Sequence, residues 1–430
     1  MPSMEFEQFV RELEHTPCDN PKRTGYACLR RIQERRIRTE EAGCPGISQK
    51  MTEINGIRAE WLIPFKAPAQ KMVFYIHGGG WSLGSIRQTR LFLAPMAVRF
   101  RVRTLHFEYR LMPEYPYPAG LDDCCAAYLG LLDMGICAQD IVLAGESAGA
   151  NLALALLLRM KDLGKPLPVA AVLMSPVTYL DSMEGSHTEL AHLDRILAED
   201  SFVISEAAEL YAPGMDKKLP GLSPLYGDLR GLPPMQIFVG TDELLFDDSL
   251  RFYRKSREAG NNVELIVGDH MVHSWPIFMN RFPEAETAVN TMAFFIWRHL
   301  FRDGKEHELY YEQRLIRAAL DEVEHNYTQA NLSKLAEDYN QTLYGYSKLI
   351  KQYTGHTFKQ LLKNRRFSII EQQLVETDKP IKTIAFEVGY ENLTHFYELF
   401  RKKHGETPQQ YRENYRKLSK NAKDDTDFDE

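Results

Sequence analysis

The chain is 430 residues long, 44% hydrophobic and 26% charged, with a formal net charge of −7. That length asks for two domains, and the composition is that of an ordinary soluble globular protein. No apolar run approaches the roughly 18 residues of a membrane span, and Met1 to His15 alternates acidic and apolar residues with no basic-then-apolar export signal, so a cytoplasmic setting without a membrane partner is the expectation. The six cysteines, Cys18, Cys28, Cys44, Cys124, Cys125 and Cys137, show no metal-type C-x-x-C pairing and read as reduced packing thiols. The charge is uneven. Residues 332–420 carry 16 basic and 10 acidic side chains inside an otherwise acidic chain, which suits a polyanion partner and equally an ordinary solvated face.

In chain order, residues 1–45 read as charged and helical. Strand-like segments then follow at Met72–Ile76, Thr104–Phe107, Ile141–Ala144, Val169–Met174, Met235–Val239 and Val263–Val267, with helix-compatible stretches between them. This alternation predicts an α/β fold, a mostly parallel sheet covered on both faces. Residues 186–212 form a second polar, helical excursion. Beyond residue 300 the strand signal disappears, and Leu315, Ile316, Ala319, Leu320 and Val323 recur at helical spacing. A weak 50-residue repeat follows: Gly355-x-Thr357 recurs as Gly405-x-Thr407, and Leu349-Ile350-Lys351 as Leu399-Phe400-Arg401. Each unit reads as helix, turn, helix. The acidic end, 419–430, is expected to be disordered.

Gly145-Glu146-Ser147-Ala148-Gly149 joins a short apolar strand to an apolar helix. This G-x-S-x-G pattern lifts a serine out of a sheet on a sharp turn. Serine needs a histidine base, and the histidine needs a carboxylate to hold its tautomer. In this strand–turn–helix setting the chain order is serine, carboxylate, histidine. Asp242 directly follows a late strand and His273 lies in the loop after the last one, with Asp247 and His270 as the second choices. A developing oxyanion needs converging N–H donors free of side-chain obstruction, which Gly79 and Gly80 of His77-Gly78-Gly79-Gly80 supply together with Ala148. His77 is expected to anchor that loop, Asp122 and Asp123 to brace a helix, and His187 and His192 to be surface or cap residues.

Four motifs in order carry a resemblance: His77-Gly78-Gly79-Gly80-Trp81, the Tyr109-Arg110-Leu111-Met112-Pro113-Glu114 segment running to Ala119, the Ser147 turn, and Ser223-Pro224-Leu225 through Gly240-Thr241-Asp242-Glu243-Leu244 to His273. Residues 50–300 resemble the hormone-sensitive-lipase-like branch of the α/β-hydrolases. The resemblance implies Ser147 as nucleophile, Asp242 as orienter and His273 as base, in hydrolysis of short-acyl carboxylic esters with no metal or organic cofactor. It also implies that 1–45 and 186–212 cap the pocket. Glu146 and Ala150 stand where that family usually has aspartate and glycine.

Residues 310–418 resemble the DNA-binding domain of AraC/XylS-type regulators, most specifically over Ile381–Tyr390 and Phe396–Arg412. Ile384, Ala385 and Val388 pack one helix, Gly389 makes the turn, and Phe396, Leu399 and Phe400 bury the next. This leaves Thr394, His395, Tyr397, Glu398 and Arg401 for a major groove, with Lys402 and Lys403 toward phosphates. Upstream, Tyr344, Gly345, Ser347, Lys348 and Lys351 correspond. Gly345 inside a helix costs about 1 kcal/mol relative to alanine, so the first unit is expected to read DNA more weakly.

The sequence thus predicts an α/β-hydrolase domain with a helical cap (1–302), a linker (303–309) and a separate all-α domain of two helix-turn-helix units (310–418). The function expected is an AraC-type regulator whose sensor binds and hydrolyses a small ester or acylated metabolite. Its expected partners are double-stranded DNA, that ester and a second copy in a homodimer. The alternative is a cytoplasmic carboxylesterase whose helical domain serves oligomerisation or localisation.

Overall fold

The computed structural model describes residues 2–14, 25–37, 44, 46–65, 67–182, 184–197, 204–301, 307–354 and 356–413. It divides into two compact units, Pro2–Asp303 and Gly304–Glu430. The expected acidic tail at 419–430, and parts of the expected cap and linker, lie outside the described residues. No described helix is long and apolar enough to cross a membrane.

The first unit is built on one eight-stranded sheet: β1 Ile47–Ile54, β2 Ile57–Pro64, β3 Met72–Ile76, β4 Arg103–Phe107, β5 Ile141–Glu146, β6 Ala170–Met174, β7 Met235–Gly240 and β8 Val263–Gly268. Their spatial order is β1-β2-β4-β3-β5-β6-β7-β8. All pairs from β4–β3 through to β7–β8 are parallel. Strands β3, β5, β6 and β7 are buried at every position, which explains their continuous apolar runs.

The β1–β2 hairpin is absent from the sequence reading. Most of β1 is exposed and carries Lys50 and Glu53, so its composition looks like a loop. Its signal was the turn, Asn55-Gly56, both at positive φ of 48° and 78°, a pairing that favours tight hairpins.

Helices flank the sheet. The helix after Ser147, Ala148–Asp162, buries 12 of its 15 residues, because it lies against the sheet and under neighbouring helices. Near the N-terminus, Phe6 and Phe9 of Met4–Glu14 pack on Phe282 and Phe278. Arg30 of Tyr26–Ile37 donates to the carbonyls of Ser82 and Met112, which ties that helix to the loop after Gly80.

The second unit is all helical: His307–His325, Leu332–Asp338, Leu343–Thr354, Phe358–Glu376, Ile381–Glu387 and Leu393–His404. The first helix starts at residue 307, inside the expected linker. The repeat is real in three dimensions. Each helix pair has one member of 7 residues and one of 12, and the 12-residue members start 50 positions apart. Leu315, Ile316, Ala319 and Val323 pack with Ala336, Tyr346 and Ile350 in one core. Gly345 falls in the first turn of its helix, where its N–H donates to Thr342 Oγ1 at 3.1 Å. That N–H would otherwise lack a partner, and the glycine sits in the first turn rather than in the middle of the helix.

Candidate active site and nucleic-acid interface

Ser147 stands between β5 and its helix with φ 56° and ψ −124°. Non-glycine residues avoid this backbone region, and a residue held there is fixed by its surroundings. The turn is held by the Ser147 N–H donating to the Met174 carbonyl at 2.8 Å. A Cβ on Gly149 would overlap the carbonyls of Ile76 and His77, so the second glycine of the motif is required for the elbow to lie against the end of β3.

That end of β3 carries the glycine loop. Among the described residues, the N–H groups of Gly79, Gly80 and Ala148 have no internal acceptor. The Gly78 N–H is taken, by Glu146 Oε1 at 2.6 Å. Tyr75 donates a short hydrogen bond to the other oxygen of Glu146. Burial, partly offset by these bonds, pushes the Glu146 carboxyl up to about 7. His77 stacks on Tyr109 at 4.3 Å, and the His77 carbonyl accepts the Tyr109 hydroxyl. Burial lowers the His77 imidazole to about 4, so it is a neutral anchor, as expected.

His273 is buried in the loop after β8, and its Nδ1 lies 2.8 Å from Oε2 of Glu243. Glu243 is fully buried, and its Oε1 also accepts from Gly240 N and Ser175 Oγ. Burial opposes a charged imidazole at His273, but the Glu243 hydrogen bond and charge outweigh it and raise the histidine above its ordinary 6.5. Ser175 also accepts the Ser274 N–H at 2.9 Å. Met174 and Ser175 thus connect the serine turn, the carboxylate and the histidine loop.

Asp242 is a correction to the sequence reading. It pairs at 3.2 Å with His270, whose side chain is 56% exposed, and accepts from Thr241. Consecutive residues leaving a strand point to opposite sides, and the inward one is Glu243. Asp247, the second choice for the carboxylate, and its neighbour Asp248 are held elsewhere. Asp247 accepts the Ser186 N–H, while the buried Asp248 accepts the Thr178 N–H and meets His187 Nε2 at 2.5 Å. His187 is therefore a buried anchor for the 186–212 segment. Asp122 and Asp123 do brace, pairing with Arg159 and Arg110.

In the helical unit, Phe396 and Phe400 face inward, while Thr394, His395, Tyr397, Glu398, Arg401 and Lys402 are exposed. Leu393, Thr394, Tyr397, Glu398, Arg401 and Lys402 form one open face of the helix. In the upstream unit Tyr346 and Ile350 are buried. Tyr344, Lys348 and Lys351 are exposed and Ser347 is half-buried. Lys403 departs from the sequence reading, because it pairs at 2.7 Å with the nearly buried Glu371 of the 19-residue connecting helix. Arg366 of that helix donates to the carbonyls of Tyr327, Thr328 and Gly389, which ties the turn before the first pair to the turn within the second.

A family model described as alpha/beta hydrolase fold matches residues 73–277, and one described as helix-turn-helix domain matches residues 335–414. An esterase of Acinetobacter venetianus is 35% identical over 259 residues, which span 58% of this chain and 82% of the relative. The chain belongs to the α/β-hydrolase family. An acetyl-hydrolase of Streptomyces hygroscopicus is 36% identical over 238 residues, 55% of this chain and 79% of that protein. The crystal structure of an esterase from the bacterial hormone-sensitive lipase family is 33% identical with a TM-score of 0.64, covering 70% of this chain and 99% of that one. This α/β-hydrolase therefore carries a second, AraC-type helix-turn-helix domain at its C-terminal end.

Two site groups of this hydrolase escaped the sequence reading. Glu243 sits beside a more typical aspartate; its cue was the apolar Leu244-Leu245 that follows. Asp194 of the 186–212 segment is buried and accepts the Leu244 N–H at 2.8 Å, holding the backbone next to Glu243. Nothing in the local sequence distinguishes it.

Proposed function

We propose that this protein is an AraC-type transcription regulator whose sensor is a serine carboxylesterase-like domain that binds and hydrolyses a small ester or acylated metabolite. The observation that carries the reading is the buried His273–Glu243 hydrogen bond beside the Ser147 turn, in a chain that also presents two exposed recognition helices. The buried His187–Asp248 pair shows that such a pair can also be structural; what sets His273–Glu243 apart is its connection, through Met174 and Ser175, to the Ser147 turn.

In the reaction, Glu243 fixes the Nδ1–H tautomer of His273, leaving Nε2 as the base for the Ser147 hydroxyl. Ser147 Oγ attacks the ester carbonyl as its proton passes to His273. The N–H groups of Gly79, Gly80 and Ala148 receive the oxyanion. Collapse expels the alcohol, protonated by His273, and leaves an acyl-serine. Water, deprotonated by the same imidazole, then releases the acid. Short acyl groups are the first substrates to try, given the acetyl-hydrolase and esterase relatives.

In the helical unit, the two recognition helices enter successive major grooves of double-stranded DNA. The connecting helix spans about 28 Å at ~1.5 Å per residue, near one turn of the duplex.

The test is a DNA-binding titration of wild type and Ser147→Ala with and without short-acyl esters. An ester-dependent shift kept or enlarged in the variant identifies the ester as the signal. A shift lost in the variant identifies the product or the acyl-enzyme. Equal binding in every arm separates the two activities and sinks the sensor reading.

A further inference from the structure

The two recognition helices can be compared residue by residue, because Leu343–Thr354 and Leu393–His404 are offset by 50 positions and have the same length. Their inward positions agree in kind: Tyr346 with Phe396, and Ile350 with Phe400, all buried. Their outward positions do not. At 348 and 398 the charge reverses, from Lys348 to Glu398, while 351 and 401 both keep a cation.

Glu398 is the anomaly on this face. A carboxylate turned toward DNA is repelled by the phosphates, so a contact that served only affinity would exclude it. It is not consumed inside the protein. Among the described residues Glu398 has no ion pair or hydrogen bond, although Arg401 and Lys402 stand three and four residues further along. The contrast with Glu371 is direct, since that carboxylate is nearly buried and meets both Lys403 and His404 at 2.7 Å. Glu398 is exposed on the open face of its helix with Thr394 and Arg401 one turn to either side.

A carboxylate on a groove-reading helix has one good partner among the bases. Its oxygens accept from the N4 amino group of cytosine and repel the acceptor-only major-groove edge of guanine. Resting on the DNA-regulator reading above, we propose that Glu398 selects a cytosine in the half of the operator facing the second helix. Lys348 at the matching position of the first helix disfavours that choice.

The experiment is selection of binding sites from random duplex DNA by full-length wild type, Glu398→Gln and Lys402→Ala. Wild type should enrich a site with one strongly preferred cytosine. Glu398→Gln should reduce that single preference roughly tenfold, leave the other preferred positions in place, and bind non-specific DNA more tightly. Lys402→Ala should weaken all sequences alike and lessen the salt dependence. Enrichment in wild type with the cytosine preference unmoved in Glu398→Gln overturns this inference alone. A failure of wild type to enrich any sequence overturns the regulator reading beneath it.

Discussion

His273 Nδ1 and Glu243 Oε2 are 2.8 Å apart, and both side chains are buried, whereas Asp242 one residue earlier faces His270 near solvent. This difference separates two carboxylates that the sequence presents side by side. Glu243→Gln should lower kcat/KM on a short-acyl p-nitrophenyl ester by roughly three to four orders of magnitude, through the wrong imidazole tautomer. Asp242→Asn should stay within about threefold of wild type. Equal losses in both variants would refute the assignment.

The same pair sets an acid limb. His273 must be neutral to take a proton, and Glu243 raises it above 6.5 despite burial. Activity should therefore fall as pH drops through a midpoint above 6.5. In Glu243→Gln the carboxylate charge is gone and burial remains, so the midpoint of the residual activity should move to lower pH. A kcat/KM profile of each enzyme checks the sign.

Glu146 bears on stability. Its folded value of about 7 lies above its ordinary 4.5, chiefly through burial. Below 4.5 both folded and unfolded chains hold the proton, so the group adds nothing. As pH rises from 4.5 to about 7, the unfolded chain releases it first, and stability falls. Relative to wild type, Glu146→Gln should lose less stability across that window, by an amount on the order of a few kcal/mol. Denaturant midpoints at both ends of the window measure it. The same variant weakens the acceptor for the Gly78 N–H, so kcat should fall more than KM changes.

Arg366 clasps three carbonyls in the helical unit. Arg366→Ala leaves them without this donor and should cost that unit about 3 kcal/mol. The four tryptophans, Trp61, Trp81, Trp275 and Trp297, all lie in the hydrolase unit. Denaturation followed by helical circular dichroism should show the loss, while the tryptophan fluorescence midpoint stays in place.

Short-range chemistry was legible in the sequence. The buried parallel strands are continuous apolar runs, the serine turn has glycines where backbones touch, and the helical repeat keeps its inward residues at a fixed offset. By itself the sequence therefore determined the α/β sheet, the place of Ser147 and His273, and the two helix-turn-helix units. It did not determine which of two neighbouring carboxylates meets the histidine, or that Lys403 turns inward to Glu371. Nor did it show that His187 is buried against Asp248. Those pairings join residues 30, 32 and 61 positions apart. Only the tertiary structure decided them, because a side chain's partner depends on which way the backbone leaves its strand or helix and on what packs against that side. Neither is written in the local order of residues.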